Sequence, residues 1–184
     1  PGADQVRDFT PDGTAVLFAS QRNVFTGRFA KLYEVSLGGG AIRELPIPNA
    51  FWADYSPDGK YIAYTPLYEA FNQWKYYRGG TMSRIWIYNT NDHSVVEVPK
   101  PEGGSNDTRP QWLGNKVYFR SDRDGEFNLY SYDLNSRQVT GHTSFKDFPV
   151  INISAGNDEI IFEQAGYLHT FNPSNNSATK LLYP

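Results

Sequence analysis

The sequence predicts an all-β fold, a β-propeller segment of four blades, each blade a four-stranded antiparallel sheet. Three observations predict it. One unit recurs four times, short aromatic and β-branched runs are punctuated by turn residues, and no 11-residue window carries a clean helical stripe. Phe9-Thr10-Pro11-Asp12-Gly13 before Ala15-Val16-Leu17-Phe18 returns as Tyr55-Ser56-Pro57-Asp58-Gly59 before Tyr61-Ile62-Ala63-Tyr64. Shorter versions are Trp112 to Lys116 before Val117-Tyr118-Phe119, and Ser154 to Asp158 before Ile160-Ile161-Phe162. The closing aromatics Phe18, Tyr64, Phe119 and Phe162 lie 46, 55 and 43 residues apart, a single period with loops of variable length.

Within each copy the elements follow in a fixed order. The first strand leads into the turn, where Pro presets φ near −65° while Asp and Gly supply local capping and tolerance of positive φ. The second strand is the aromatic run just described. The third is Leu32 to Val35, Ile85 to Tyr88, Leu129 to Tyr132 and Leu168 to Phe171. After a turn rich in Gly, Asn, Asp or Ser, a closing strand is expected near Ala41 to Leu45, Val95 to Val98, Gln138 to Thr140 and Thr179 to Leu182. Four short strands in about 45 residues match a propeller blade. The blades are placed at residues 1–49, 50–100, 101–143 and 144–184. A longer insertion, from about Pro66 to Met82, replaces the hairpin loop of the second copy and has room for a short helical turn.

Composition narrows the function. There is no Cys, so a disulfide scaffold, a thiolate metal site and a cysteine nucleophile are excluded, and no apolar run approaches the ~18 residues of a spanning helix. With 17 Lys plus Arg against 20 Asp plus Glu the net charge is −3, and the cations are scattered. That is not the footprint of a nucleic-acid binder. The chain begins without Met inside a first strand, so it reads as a segment cut from a longer ring whose exposed flanks favour association.

The two Pro-Asp-Gly turns, Ser121-Asp122-Arg123-Asp124-Gly125 followed by Asn128-Leu129-Tyr130, Thr140-Gly141-His142, and above all Ala70 to Gly80 before Arg84-Ile85-Trp86 carry a more specific likeness. In these the sequence resembles the N-terminal six-bladed β-propeller of tricorn-type proteases, whose blades are similar to TolB repeats. The resemblance covers essentially the whole chain and implies four of six blades, with about two preceding it. It implies that proteolysis belongs to a serine-protease core, which no part of this chain resembles, and that the propeller controls peptide access. The implied role is a non-catalytic scaffold and substrate-gating element, with no cofactor. Its implied partners are the missing blades or another copy of the chain, the protease core, and peptides. The alternative is a stand-alone TolB-like propeller serving as a protein or carbohydrate interaction module. The likeness favours a periplasmic or extracytoplasmic setting over the cytoplasm.

The residues offer no chemistry of their own at this level. No Gly-x-Ser-x-Gly elbow or His-Glu-x-x-His motif occurs, and the three histidines, His93, His142 and His169, lie far apart. His169 takes the position of Tyr33, Trp86 and Tyr130 in the other copies, so it is expected to pack as a ring. Asp122-Arg123-Asp124-Gly125 places its Gly too early for a calcium loop and reads as a charged turn. First strands line the channel of a propeller, so Asp54, Asp107 and Asp147, with Arg109, are the candidate channel wall. The insertion supplies the candidate interface: Phe71, Trp74, Tyr76 and Tyr77 as large rings, Lys75 and Arg78 as donors.

Overall fold

The computed structural model describes residues 3–69 and 74–182. Among them every regular element is a strand, and the strands form four separate four-stranded antiparallel sheets in simple sequential order. The first blade comprises β1 (Asp4–Phe9), β2 (Ala15–Ser20), β3 (Lys31–Ser36) and β4 (Arg43–Glu44). The second has β5 (Ala53–Tyr55), β6 (Tyr61–Tyr64), β7 (Trp86–Asn89) and β8 (Val95–Glu97). The third has β9 (Asp107–Leu113), β10 (Lys116–Ser121), β11 (Asn128–Asp133) and β12 (Gln138–Gly141), and the fourth β13 (Val150–Gly156), β14 (Glu159–Gln164), β15 (Tyr167–Asn172) and β16 (Ser177–Lys180). The final closing strand thus lies slightly earlier than expected, because Asn172 pairs with Ser177 across the preceding turn and fixes the register.

The turns behave as their residues dictate. In both Pro-Asp-Gly turns the Asp carboxylate accepts a backbone N–H two residues on, Asp12 from Thr14 and Asp58 from Lys60, while Gly13 and Gly59 take φ of +68° and +71°. In the fourth blade Asn157 and Asp158 both take positive φ, the demand of a tight two-residue hairpin.

Side chains alternate across each sheet, so each blade has a face toward the preceding blade and a face toward the following one. Val117, Phe119, Tyr130 and Tyr132 of the third blade pack on Ala63, Ile85 and Ile87 of the second. Ile160, Phe162 and Phe171 of the fourth pack on Tyr118 and Leu129 of the third. His169 is one of these rings, stacked on Phe162 with centroids 5.0 Å apart, where the first and third blades stack Phe18 with Tyr33 and Phe119 with Tyr130 and the second sets Tyr64 edge-on to Trp86. The three core clusters join blades one and two, two and three, and three and four. The outer face of the fourth blade differs sharply from these. At the position of Leu17, Ala63 and Tyr118, all at most 2% exposed, the fourth blade has Ile161 at 42%. At the position of Leu32, Ile85 and Leu129, all at 0%, it has Leu168 at 40%.

A belt of side-chain to backbone bonds registers the inner strands. The Tyr55 amide donates to Asp8, the Trp112 amide to Asp54 and the Ala155 amide to Gln111, at 3.1, 2.5 and 3.0 Å. In each case the residue before the strand-ending aromatic position accepts from the equivalent amide of the next blade. Ser154 occupies that accepting position in the fourth blade and is exposed, while the Phe9 amide of the first blade turns back onto its own Asp8.

Candidate functional site

Three of the inner strands, β1, β9 and β13, are bent by bulges, and the bulges re-aim their side chains. In β1 the register jumps at Arg7, in β9 Arg109 and Pro110 together oppose Phe119, and in β13 Ile151 and Asn152 together oppose Glu163. Pro110 has no N–H to lose there, and Arg109 adopts φ of +56°, a left-handed conformation held by its surroundings. The result is a polar cluster. The guanidinium groups of Arg7 and Arg109 lie over the Trp52 ring at 4.2 and 4.1 Å from its centroid. Arg109 also donates to Asn152, which in turn donates to Glu163 at 2.9 Å. Burial, assisted by the like charge of Arg109, pushes the Arg7 guanidinium down to about 10.

The centre of this cluster comes from the insertion of the second blade. Glu69 is buried and binds Arg109 at 2.9 Å, Arg120 at 2.8 Å and the Thr108 hydroxyl at 2.9 Å. Arg120, itself fully buried, also donates to the carbonyls of Val150 and Ile151 in the fourth blade. Burial raises the Glu69 carboxyl, but Arg120 and Arg109 together outweigh it and hold the group below the ordinary glutamate value.

Further along, the insertion is strapped onto the third blade. Lys75 pairs with Glu126 at 2.5 Å and Arg78 with Asp122 at 2.7 Å, and both acids are buried. Asn106 donates to the Tyr77 carbonyl and to Asp122. Gly79 lets the chain turn beside the Tyr77 ring, since a Cβ there would sit 2.0 Å from its hydroxyl oxygen. Trp74 stacks on Tyr77 at 6.1 Å, and Trp74 and Tyr76 remain 62% and 44% exposed. Asp122 opens the expected charged turn, with the Gly125 amide donating to its carbonyl, and is in addition a fully buried anchor. The described insertion residues form bends and turns without helix; Phe71 lies outside the described residues.

The expected wall residues separate. Arg109 is in the cluster. Asp54 lies nearer the opposite end of the inner strands, where a cavity of about 450 Å³ is lined by residues of β1, β5, β9 and β13, including Asp8, Asp54, Gln111 and Ser154. Asp107 turns into its own blade, fully buried against Ser105 and Ser121 and paired with Arg123 at 3.0 Å. Asp147 is exposed in the segment before β13. Arg7, Asp8, Trp52, Glu69 and Arg120 were not singled out from sequence; Glu69, one acid inside an aromatic insertion, gave the nearest thing to a signal.

One arrangement has the geometry of a nucleophilic triad. Ser131 Oγ lies 2.8 Å from His142 Nε2, and His142 Nδ1 lies 2.9 Å from Asn176 Oδ1. Ser131 is 1% exposed, however, and the His142 ring is packed between Tyr118 and Phe171, so the hydroxyl is closed to a substrate and the three residues tie blade three to blade four. His93 is a turn residue bonded to Tyr88, and no group of three metal-ligating side chains exists among the described residues.

The profile of the tricorn protease N-terminal β-propeller domain matches residues 1–177. The chain belongs to that family. A tricorn protease homolog from Saccharolobus solfataricus is 29% identical over 154 residues, 84% of this chain and 14% of the relative. The tricorn protease of Thermoplasma acidophilum is 28% identical over 176 residues, 96% of this chain and 16% of that protein. The chain therefore spans about one-seventh of the curated relatives it matches. Among solved structures, the crystal structure of the tricorn protease superposes with a TM-score of 0.55 at 21% identity, covering 97% of this chain and 23% of that one. A putative TolB from Agrobacterium tumefaciens gives 0.74 at 15% identity, over 95% of this chain and 63% of that one. These two likenesses show the propeller fold alone.

Proposed function

We propose that this tricorn-family propeller segment is the non-catalytic part of a larger serine protease, where it acts as a scaffold and peptide-access element. The observation that carries this reading is the state of the two outer faces. The first blade ends on Phe18 and Tyr33 beneath Arg22, which pairs with Asp4 and takes Ser20 as partner. The third blade repeats that set with Phe119, Tyr130, Arg123, Asp107 and Ser121 on the face that meets the second blade. A face equipped in the same way is built to receive another blade. The strap and the cluster of Glu69 with its arginines give the channel one wall of fixed charge, and the exposed rings of Trp74 and Tyr76 offer a polypeptide a place to rest at its rim. Asp147, Asp107 and Phe71 have no assigned part in this function.

The test uses the full-length protein. Releasing the strap with Lys75→Ala and Arg78→Ala together should change turnover of long peptides several-fold while leaving a short fluorogenic peptide unaffected. An equal effect on both substrates would contradict gating. The 184-residue chain alone should hydrolyse neither. A full-length protein without a protease core would instead favour the stand-alone interaction module.

A further inference from the structure

We propose that Asp54 is a proton-operated clasp at the channel mouth: with its proton it bridges the first and third blades, and without it two carboxylates face each other across the first blade junction. The geometry is specific to this residue. Asp54 sits on the short inner strand β5 and accepts the Trp112 amide of the third blade at 2.5 Å. Its chain neighbour Tyr55 gives its amide to Asp8 of the first blade at 3.1 Å, which holds the Asp8 carboxylate beside the backbone that carries Asp54. Both line the same cavity of about 450 Å³. Two neighbouring carboxyls cannot both lose their protons cheaply when one member is buried, and a neutral carboxyl can donate to a charged one.

The groups facing Asp54 there are Asp8 and Arg7 from β1, Gln111 and Trp112 from β9, and Ser154 and Ala155 from β13. Asp8 is the charged neighbour that acts on it. Burial first, and then Asp8, raise the Asp54 carboxyl well above its ordinary value, and the opposing pull of the Trp112 amide is smaller. The sign follows by linkage. The folded chain holds the Asp54 proton more tightly than the unfolded chain, so this group's contribution to stability is greatest at low pH. It falls as pH rises from the unfolded value of about 3.9 through the folded one. Loss of the proton weakens the belt where it crosses from blade one to blade two and loosens the wall beside the cavity. The corresponding acceptors in blades three and four, Gln111 and Ser154, do not titrate in this way, so the sensitivity is confined to one side of the ring.

Amide hydrogen exchange on the 184-residue chain, corrected for intrinsic rates, reads this directly. Protection at Tyr55, whose amide spans the junction of blades one and two, should fall about tenfold or more between about pH 5 and about pH 9 in the wild type, and should stay level in Asp54→Asn, which keeps the shape without the proton. A parallel decline in Asp54→Asn overturns the proposal. Side-chain carbon NMR of Asp54 provides a second reading independent of that variant: its titration should lie above the ordinary aspartate value of about 3.9 and move down in Asp8→Asn. Titration at or below that ordinary value, or no change in Asp8→Asn, overturns it as well.

Discussion

The inner and outer faces of the four blades are made from the same side chains at the same positions, yet they live in different solvents. Leu32, Ile85 and Leu129 disappear beneath the next blade, whereas Ile161 and Leu168 of the last blade do not. The difference teaches that a blade's sequence is written for a neighbour on each side, whether or not the neighbour is present. Aromatic stacking within one sheet, as between Phe162 and His169, survives at the end of the row, but the aliphatic face beyond it lacks the cover that the interior blades give one another. Stability should accordingly be concentrated in the second and third blades, which are covered on both faces.

The largest expected break in that pattern is electrostatic. Glu69→Ala removes the carboxylate that neutralises Arg120 between the third and fourth blades, and loss of one member of a buried pair costs about 3–5 kcal/mol. Urea unfolding should show it, and a loss no greater than that of a surface substitution would remove the cluster from the account. Next is a matched pair of truncations. Leu129→Ala should cost about 2–4 kcal/mol, while Leu168→Ala at the equivalent position should cost under about 1 kcal/mol. Equal losses would mean that the last face is covered in solution, and sedimentation would then identify association. A third pair compares equivalent arginines: Arg123→Ala, inside a blade junction, should destabilise by about 1–2 kcal/mol, and Arg22→Ala on the outer face by less.

The smallest effect is a pH dependence opposite to that of Asp54. The Glu69 carboxyl is held below its ordinary value, so its stabilisation is fully present above the unfolded value of about 4.3 and is lost as pH falls through the folded one. The urea midpoint should therefore decline below about pH 4 in the wild type and decline less in Glu69→Gln. A Glu69→Gln profile as steep as the wild type would show that other carboxyls govern the acid limb.

The fold was legible because its determinants are local. Pro-Asp-Gly chemistry sets the reversals, and the alternation of Phe18, Tyr64, Phe119 and Phe162 with smaller residues sets the faces. His169 could be read as a packing ring from its repeat position alone. The last closing strand was misplaced by a few residues, since its short polar sequence carries no apolar alternation and only the Asn172 to Ser177 pairing fixes it. The channel was less legible. Which way an inner-strand side chain faces depends on bulges in β1, β9 and β13, and an extra residue reverses that facing without leaving a mark in composition. Arg109 lies in the polar cluster, Asp107 was turned inward by Ser121 and Arg123, and Glu69 was passed over because its partners lie about 40 and 51 residues away.

Strand-resolved hydrogen exchange of the 184-residue chain tests the central idea that each sheet is stabilised by the sheets on either side. β10 and β11 should exchange most slowly, β6 and β7 next, and the first and fourth blades should open at markedly lower free energy. Uniform protection across all four blades in a chain shown to be monomeric would contradict it.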